Sequence, residues 1–346
     1  MTPLFIDVIG HAKVVALLER ELDRPVGSYL FTGPAGVGKS MVALRFAAGL
    51  MCPAGAEHAE TCATCRRVLA GTHPDVVMVE PEGSVNLTVD QARTAITQAT
   101  LTPLEAPRKV FVVDEAHTMT DQAANALLKT LEEPSASSVF VLVTESEDDL
   151  PPTVASRCRV VRFGRVDDET IAEHLISAGV DGEQARSAAR VAGGRPGLAL
   201  TLSLRPEVAQ FRANWLLVPG RLSSRPGESI HLADTMLATI EPLLTGFGNK
   251  ATKDKPAQER TLRRARSSLL VSGLEILASF YTDAASLQYG GPTRNGDLGQ
   301  GELTAVDPVV AVKNAGRILD AMADLRANLR PTLILANLFG ELADAG

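Results

Sequence analysis

Short apolar runs alternate with amphipathic stretches over the first 163 residues of the chain. Ser28-Tyr-Leu-Phe-Thr32, Val76 to Glu80, Val110 to Val113 and Val139 to Val143 read as buried strands, each bounded by Gly, Pro or charged residues. Helix signals lie between them. In Thr88-Val-Asp-Gln91 the Thr hydroxyl and the Gln side chain can satisfy each other's orphan backbone donors, which predicts a helix over Gln91–Ala99. Thr120 caps a second helix over Asp121–Glu133, and Pro134 stops it. This alternation predicts an α/β domain with a mostly parallel sheet covered on both faces.

Beyond Arg165 the pattern is helical only. Asp167–Ala178 and Gly182–Ala192 are amphipathic, and Gly193-Gly-Arg-Pro-Gly197 opens a third helix that ends near Leu204. From Pro206 onward the chain is helical again, with breaks at Thr245–Pro256 and at Gln288–Pro308. Five glycines in the second break, Gly290, Gly291, Gly296, Gly299 and Gly301, are expected to keep it from packing. Three domains are predicted, over 1–163, 164–205 and 206–346.

Composition narrows the class. Of 346 residues 45% are hydrophobic and 22% charged, enough for several cores and too apolar for disorder. Aromatics are 4% with a single Trp215, so those cores must be aliphatic. No apolar run reaches the ~18 residues a membrane helix needs, and Met1–Gly10 carries Asp7 without a basic cluster. A cytoplasmic protein is expected. The net charge of −7 argues against a general polyanion binder, so nucleic acid would be met through a local patch or an assembly. Four cysteines do not make a disulfide framework in such a chain.

The strongest chemical signal is Gly33-Pro-Ala-Gly36-Val-Gly38-Lys39-Ser40, a complete P-loop pattern with a strand before it and a helix, Met41–Leu50, after it. The glycines let backbone N–H groups curl around phosphate at a helix N-terminus. Lys39 would reach the β- and γ-phosphates and Ser40 would ligate Mg²⁺. Asp114 and Glu115 end the Val110–Val113 strand, where the first can hold the Mg²⁺ shell and the second can polarise an attacking water. The combination reads as binding and hydrolysis of a nucleoside triphosphate; His117 reads as a surface residue.

Further blocks carry a resemblance: Asp7-Val-Ile-Gly-His11, the P-loop, Cys62-Ala-Thr-Cys65, Ala70-Gly-Thr-His-Pro-Asp75, Val113-Asp-Glu-Ala-His117, Ala124 to Pro134 and Ser156-Arg-Cys158. With them the chain resembles the AAA+ clamp-loader family of the bacterial replicative polymerase, above all its delta-prime branch, closely over residues 1–163. The resemblance implies an AAA+ domain, a small helical lid and a helical collar. It also implies ATP as ligand, delta and gamma/tau subunits as ring partners, and a sliding clamp and primed DNA met through the assembly, with no membrane. Thr144 matches the family's sensor 1 position, which contacts the γ-phosphate or the attacking water. Arg157 matches its arginine finger, which acts on ATP bound to the neighbouring subunit; Cys158 reads as a small buried residue. At the sensor 2 position the family's motors carry an arginine and this chain has Gly197, with Arg195 two positions earlier.

Cys62 and Cys65 have zinc-knuckle spacing and Cys52 lies upstream. The family uses four cysteines; Ala59 stands at the second position, and the resemblance then implies either His58 beside it as fourth ligand, a three-Cys, one-His set for a structural Zn²⁺, or a lost metal. Arg260, Arg263 and Arg264 share a helical face, read as solvated, and Ile318, Met322 and Leu325 read as internal core. Three functions remain open: a delta-prime-type subunit acting in trans, an autonomous gamma/tau-type motor, and a P-loop small-molecule kinase. Ser156-Arg-Cys in place of the motor's Ser-Arg-Thr weighs against the second, and the Asp114–Glu115 pair with Arg157 weighs against the third.

Overall fold

Five strands form, the first four from runs rich in β-branched and aromatic residues: β1 (Ser28–Thr32), β2 (Val76–Val79), β3 (Lys109–Val113), β4 (Ser138–Val143) and β5 (Arg159–Arg162). In the computed structural model, which describes residues 3–53, 62–81, 86–225, 227–245, 255–326 and 330–344, they make one sheet. The order is β2-β3-β4-β1-β5 and every pairing is parallel. Strands β1, β3 and β4 are buried along their whole length, as the continuous apolar runs require.

Helices α1 (Ala12–Glu21), α2 (Lys39–Met51) and α3 (Ala63–Leu69) supply one face with Leu18, Phe46 and Val68. Helices α4 (Val89–Ala99), α5 (Asp121–Glu132) and α6 (Pro152–Ala155) supply the other with Ala92, Leu127 and Val154. The caps match the sequence reading: Thr88 and Gln91 form a reciprocal box, and the Thr120 hydroxyl accepts from the Ala123 amide. Strand β5 has no counterpart in that reading. It is an edge strand on which Val161 is the one buried position, so it lacks the apolar run that marks an interior strand.

The rest is helical: α7 (Asp168–Ser177), α8 (Gly182–Ala192), α9 (Pro196–Leu202), α10 (Glu207–Leu216), α11 (Glu228–Ala238), α12 (Glu241–Leu244), α13 (Lys255–Gln288), α14 (Gln300–Thr304), α15 (Pro308–Arg326) and α16 (Pro331–Ala343). Ile318 and Met322 are buried and Leu325 half-buried. Arg263 and Arg264 are exposed on α13; the side chain of Arg260 lies outside the described residues. Two compact units result, Met1–Ile171 with Gly194–Gly197, and Ala172–Gly193 with Leu198–Gly346. No helix among the described residues is long and apolar enough to cross a membrane.

The glycine-rich stretch after α13 does pack, against expectation. The buried Asp283 carboxylate accepts from the Arg294 amide (2.8 Å), the Asn295 amide (2.7 Å) and Asn295 Nδ2 (2.8 Å). Arg212 then holds Asn295 Oδ1 at 2.6 Å and grips Asp297. A buried carboxylate and an arginine fork anchor what apolar patterning cannot report.

Candidate nucleotide site and metal centre

Because all five strands are parallel, the residues that follow β1, β3 and β4 emerge on one edge of the sheet. Strand β1 lies between β4 and β5, and its C-terminal end is where an open α/β sheet offers a crevice. The P-loop leaves β1 there. Gly33 has φ +143° and donates its N–H to Glu145 O at 2.9 Å; a Cβ at this position would sit 2.2 Å from Phe163 O. Gly36 (φ +76°) and Gly38 (φ +100°) take left-handed conformations, and Gly38 caps α2. The α2 N-terminus thus opens on Lys39 and Ser40.

Lys39 is buried, and its Nζ donates to Gly33 O at 2.6 Å and to Pro34 O at 2.7 Å. Burial lowers its pKa below the usual lysine value, against the opposing pull of Glu145, Asp114 and Asp149. The Ser40 hydroxyl donates to Asp114 Oδ1 at 2.9 Å, so the two groups expected to share a cation already touch. The same oxygen accepts the Glu115 amide at 3.0 Å. Glu115 takes φ +51°, a left-handed conformation rare for a side-chain-bearing residue and one that clusters at functional sites.

Thr144, buried at the end of β4, gives its one hydroxyl hydrogen to Asp149 Oδ2 at 3.0 Å. The oxygen therefore faces any further partner as an acceptor, which suits a water better than a phosphate oxygen. His117 is exposed in a 3-10 turn.

Two further residues touch the P-loop. The His11 Nε2–H donates to Val37 O at 3.0 Å, from a left-handed backbone at φ +53°. Burial lowers the His11 pKa and outweighs the bond to Val37, which raises it. His11 carries no local signal of such a role in the sequence beyond its place in the block Asp7 to His11. Arg195 is buried, with its Cδ 3.2 Å from the position of a Cβ at Gly36, so the chain brings an arginine to the P-loop although Gly197 stands at the expected position.

Arg157 lies elsewhere. Arg159 pairs with Tyr29 at the start of β1, so Arg157 precedes the sheet edge opposite to the P-loop. Four strand steps, about 13 Å at ~3.3 Å per residue, separate the two ends. Its guanidinium cannot serve its own P-loop. Cys158 beside it packs against the core, and burial pushes its thiol up to about 12.

The metal-type residues converge at the far end of α2. The sulfurs of Cys52, Cys62 and Cys65 all lie within 4.8 Å of one another, and Cys52 Sγ is 3.6 Å from Cys62 Sγ. Tetrahedral thiolates at the Zn–S length of ~2.3 Å stand about 3.8 Å apart, so this donor set fits Zn²⁺. Burial and then the neighbouring sulfurs push the Cys65 thiol up, whereas the bond at the Cys65 backbone lowers Cys62. His58 and Ala59 lie outside the described residues.

A family profile described as DNA polymerase III, delta subunit, matches residues 10–167. The DNA polymerase III subunit delta' of Bacillus subtilis is 32% identical over 271 residues, covering 78% of this chain and 75% of that protein. The chain belongs to the delta-prime family of DNA polymerase III subunits. A second delta-prime relative, from Pseudomonas aeruginosa, is 42% identical over 134 residues, covering 38% of this chain and 41% of its own length. The tau subunit of Bacillus subtilis is 35% identical over 188 residues, covering 52% of this chain and 32% of tau. Similarity to delta-prime thus extends beyond the α/β unit, whereas similarity to tau covers about half the chain. The profile span 10–167 takes in His11, the P-loop, Asp114, Glu115, Thr144 and Arg157; Arg195 lies outside it.

Proposed function

We propose that this delta-prime-family chain works in a ring with delta-type and gamma/tau-type subunits, binds Mg²⁺-ATP at its P-loop and supplies Arg157 to the nucleotide site of a neighbour. The observation that carries this reading is the position of Arg157, on the sheet edge opposite its own P-loop and within the span matched to the family. The ring would load a sliding clamp onto primed DNA in the cytoplasm. Residues 1–163 would serve as AAA+ domain, 164–205 as lid and 206–346 as collar.

At the chain's own site, Ser40 and Asp114 would hold Mg²⁺, which when bound neutralises charge on the phosphate oxygens. The P-loop amides and Lys39 would bind the β- and γ-phosphates, and Arg195 would approach the same phosphates from the turn before α9. Glu115 would orient a water, and Thr144, with its hydrogen committed to Asp149, would accept a hydrogen bond from that water. Cys52, Cys62 and Cys65 would hold a structural Zn²⁺, with His58 as the fourth ligand. The autonomous motor reading keeps one specific support, the complete Ser40–Asp114 contact.

An arginine finger is worth roughly 10³–10⁵ in turnover. In the reconstituted ring, Arg157→Ala is expected to lower clamp- and primed-DNA-stimulated ATP hydrolysis at least tenfold while the ring still assembles. Unchanged turnover in an intact ring would remove the trans role and leave this chain as a motor in its own right.

A further inference from the structure

Helix α5 ends on two acids, Glu132 and Glu133, where the helix dipole disfavours negative charge. Glu132 is more than a solvated end. Its Oε2 accepts from Arg157 Nε at 3.3 Å, across a sequence gap of 25 residues. Arg157 Nη1 donates to Thr153 O at 2.8 Å, one turn back on α6. The guanidinium is therefore held on two sides by two elements.

Those elements are themselves fixed. Leu127 and Leu131 of α5 and Val154 of α6 share one buried cluster, and Cys158 packs against it. The Arg157 amide donates to Val154 O at 3.1 Å and the Cys158 amide to Ala155 O at 3.2 Å. The Arg157 backbone is tied to α6 and its side chain to α5 and α6, and the side chain keeps 31% of its surface exposed. Among the described residues nothing takes the Nη2 hydrogens. A planar guanidinium anchored at Nε and Nη1 keeps its Nη2 hydrogens for a further acceptor, such as a phosphate oxygen.

We propose that Glu132 is a positioning residue for Arg157: it holds the Nε edge so that the Nη2 edge is preset toward the nucleotide of the neighbouring subunit. This rests on the trans role of Arg157. A free arginine side chain loses rotamer freedom each time it docks on its target. Glu132 removes part of that loss in advance, so its effect belongs to turnover rather than to ATP affinity.

The test uses the full chain in the reconstituted ring with its delta-type and gamma/tau-type partners, with ATP, clamp and primed DNA. Glu132→Ala is expected to lower kcat three- to tenfold, leave the KM for ATP within twofold and leave ring assembly intact. Glu132→Gln, which keeps an acceptor oxygen, is expected to restore most of the loss. In the Arg157→Ala background, Glu132→Ala is expected to cost nothing further, a coupling that a merely structural role would not produce. Glu132 is 59% exposed and its removal opens no core cavity; equal thermal midpoints check the fold. A fall for Arg157→Ala with no fall for Glu132→Ala overturns the positioning role alone. So does an equal fall for Glu132→Ala in both backgrounds. No fall for Arg157→Ala overturns the trans role and the positioning role together.

Discussion

Asp75 has no exposed surface, yet it carries a charge. Its carboxylate accepts the amides of Leu104 (2.7 Å), Glu105 (2.8 Å) and Ala106 (3.0 Å), which joins the start of β2 to the loop before β3. Burial opposes the ionised form, but the three amides outweigh it and the pKa falls below the usual carboxylate value. Asp75 therefore stabilises the fold fully above its unfolded pKa of about 3.9, and the contribution is lost as pH falls through the lower folded value. Asp75→Asn is expected to lower stability by about 2 kcal/mol at pH 7, since charge-assisted hydrogen bonds are worth ~1.5–3 kcal/mol. Denaturant melts from pH 7 to pH 3 check this: the gap between variant and native chain should begin to narrow below about pH 4, and a gap independent of pH would contradict it. Residue types at the nucleotide site were legible because a P-loop needs glycine at φ values only glycine tolerates well, as Gly33 shows. His11 and Arg195 were not, because each reaches the P-loop through space from a segment whose local pattern says nothing of it.

At the scale of elements, α2 runs from Lys39 at the P-loop to Met51, with Cys52 as its C-cap. Cys52 donates its amide to Ala48 O at 3.0 Å, and Cys65 Sγ also reaches Ala48 O, at 3.6 Å, so two of the three sulfur-bearing residues meet the last turn of that helix. Three thiolates there would repel one another and face the negative end of the helix, and a divalent cation offsets both effects. One zinc per chain is expected by elemental analysis, and chelation is expected to lower the thermal midpoint of the native chain but not of Cys65→Ser. Well under half an equivalent of zinc would count against the centre. Interior strands and capped helices stood out in the sequence because burial on both faces demands continuous apolar runs. Strand β5 and the ordered glycine-rich stretch did not. The first is an edge strand that pairs with β1 and buries only Val161, and the second is held by Asp283, Asn295 and Arg212, polar groups that look the same in a solvated loop.

For the whole molecule, nucleotide binding and folding are one linked equilibrium. Mg²⁺-ATP or Mg²⁺-ADP at 100 times its Kd is expected to stabilise the native chain by about 2.7 kcal/mol, read as a rise in thermal midpoint. Lys39→Ala is expected to abolish the rise, since Nζ is the buried cation of the loop. A rise preserved in that variant would mean that nucleotide binds elsewhere. The sequence by itself determined the α/β class, the parallel sheet, the P-loop with its acidic pair and the family, because each depends on local pattern or on residue types at fixed spacing. Tertiary structure alone decided which groups meet. It set Ser40 against Asp114, drew three cysteine sulfurs together, brought Arg195 to Gly36 and held Arg157 on the opposite edge beside Glu132. Those encounters follow from strand order and from the packing of helices on the sheet. Both minimise exposed apolar area over the whole chain, so no local stretch of sequence encodes them.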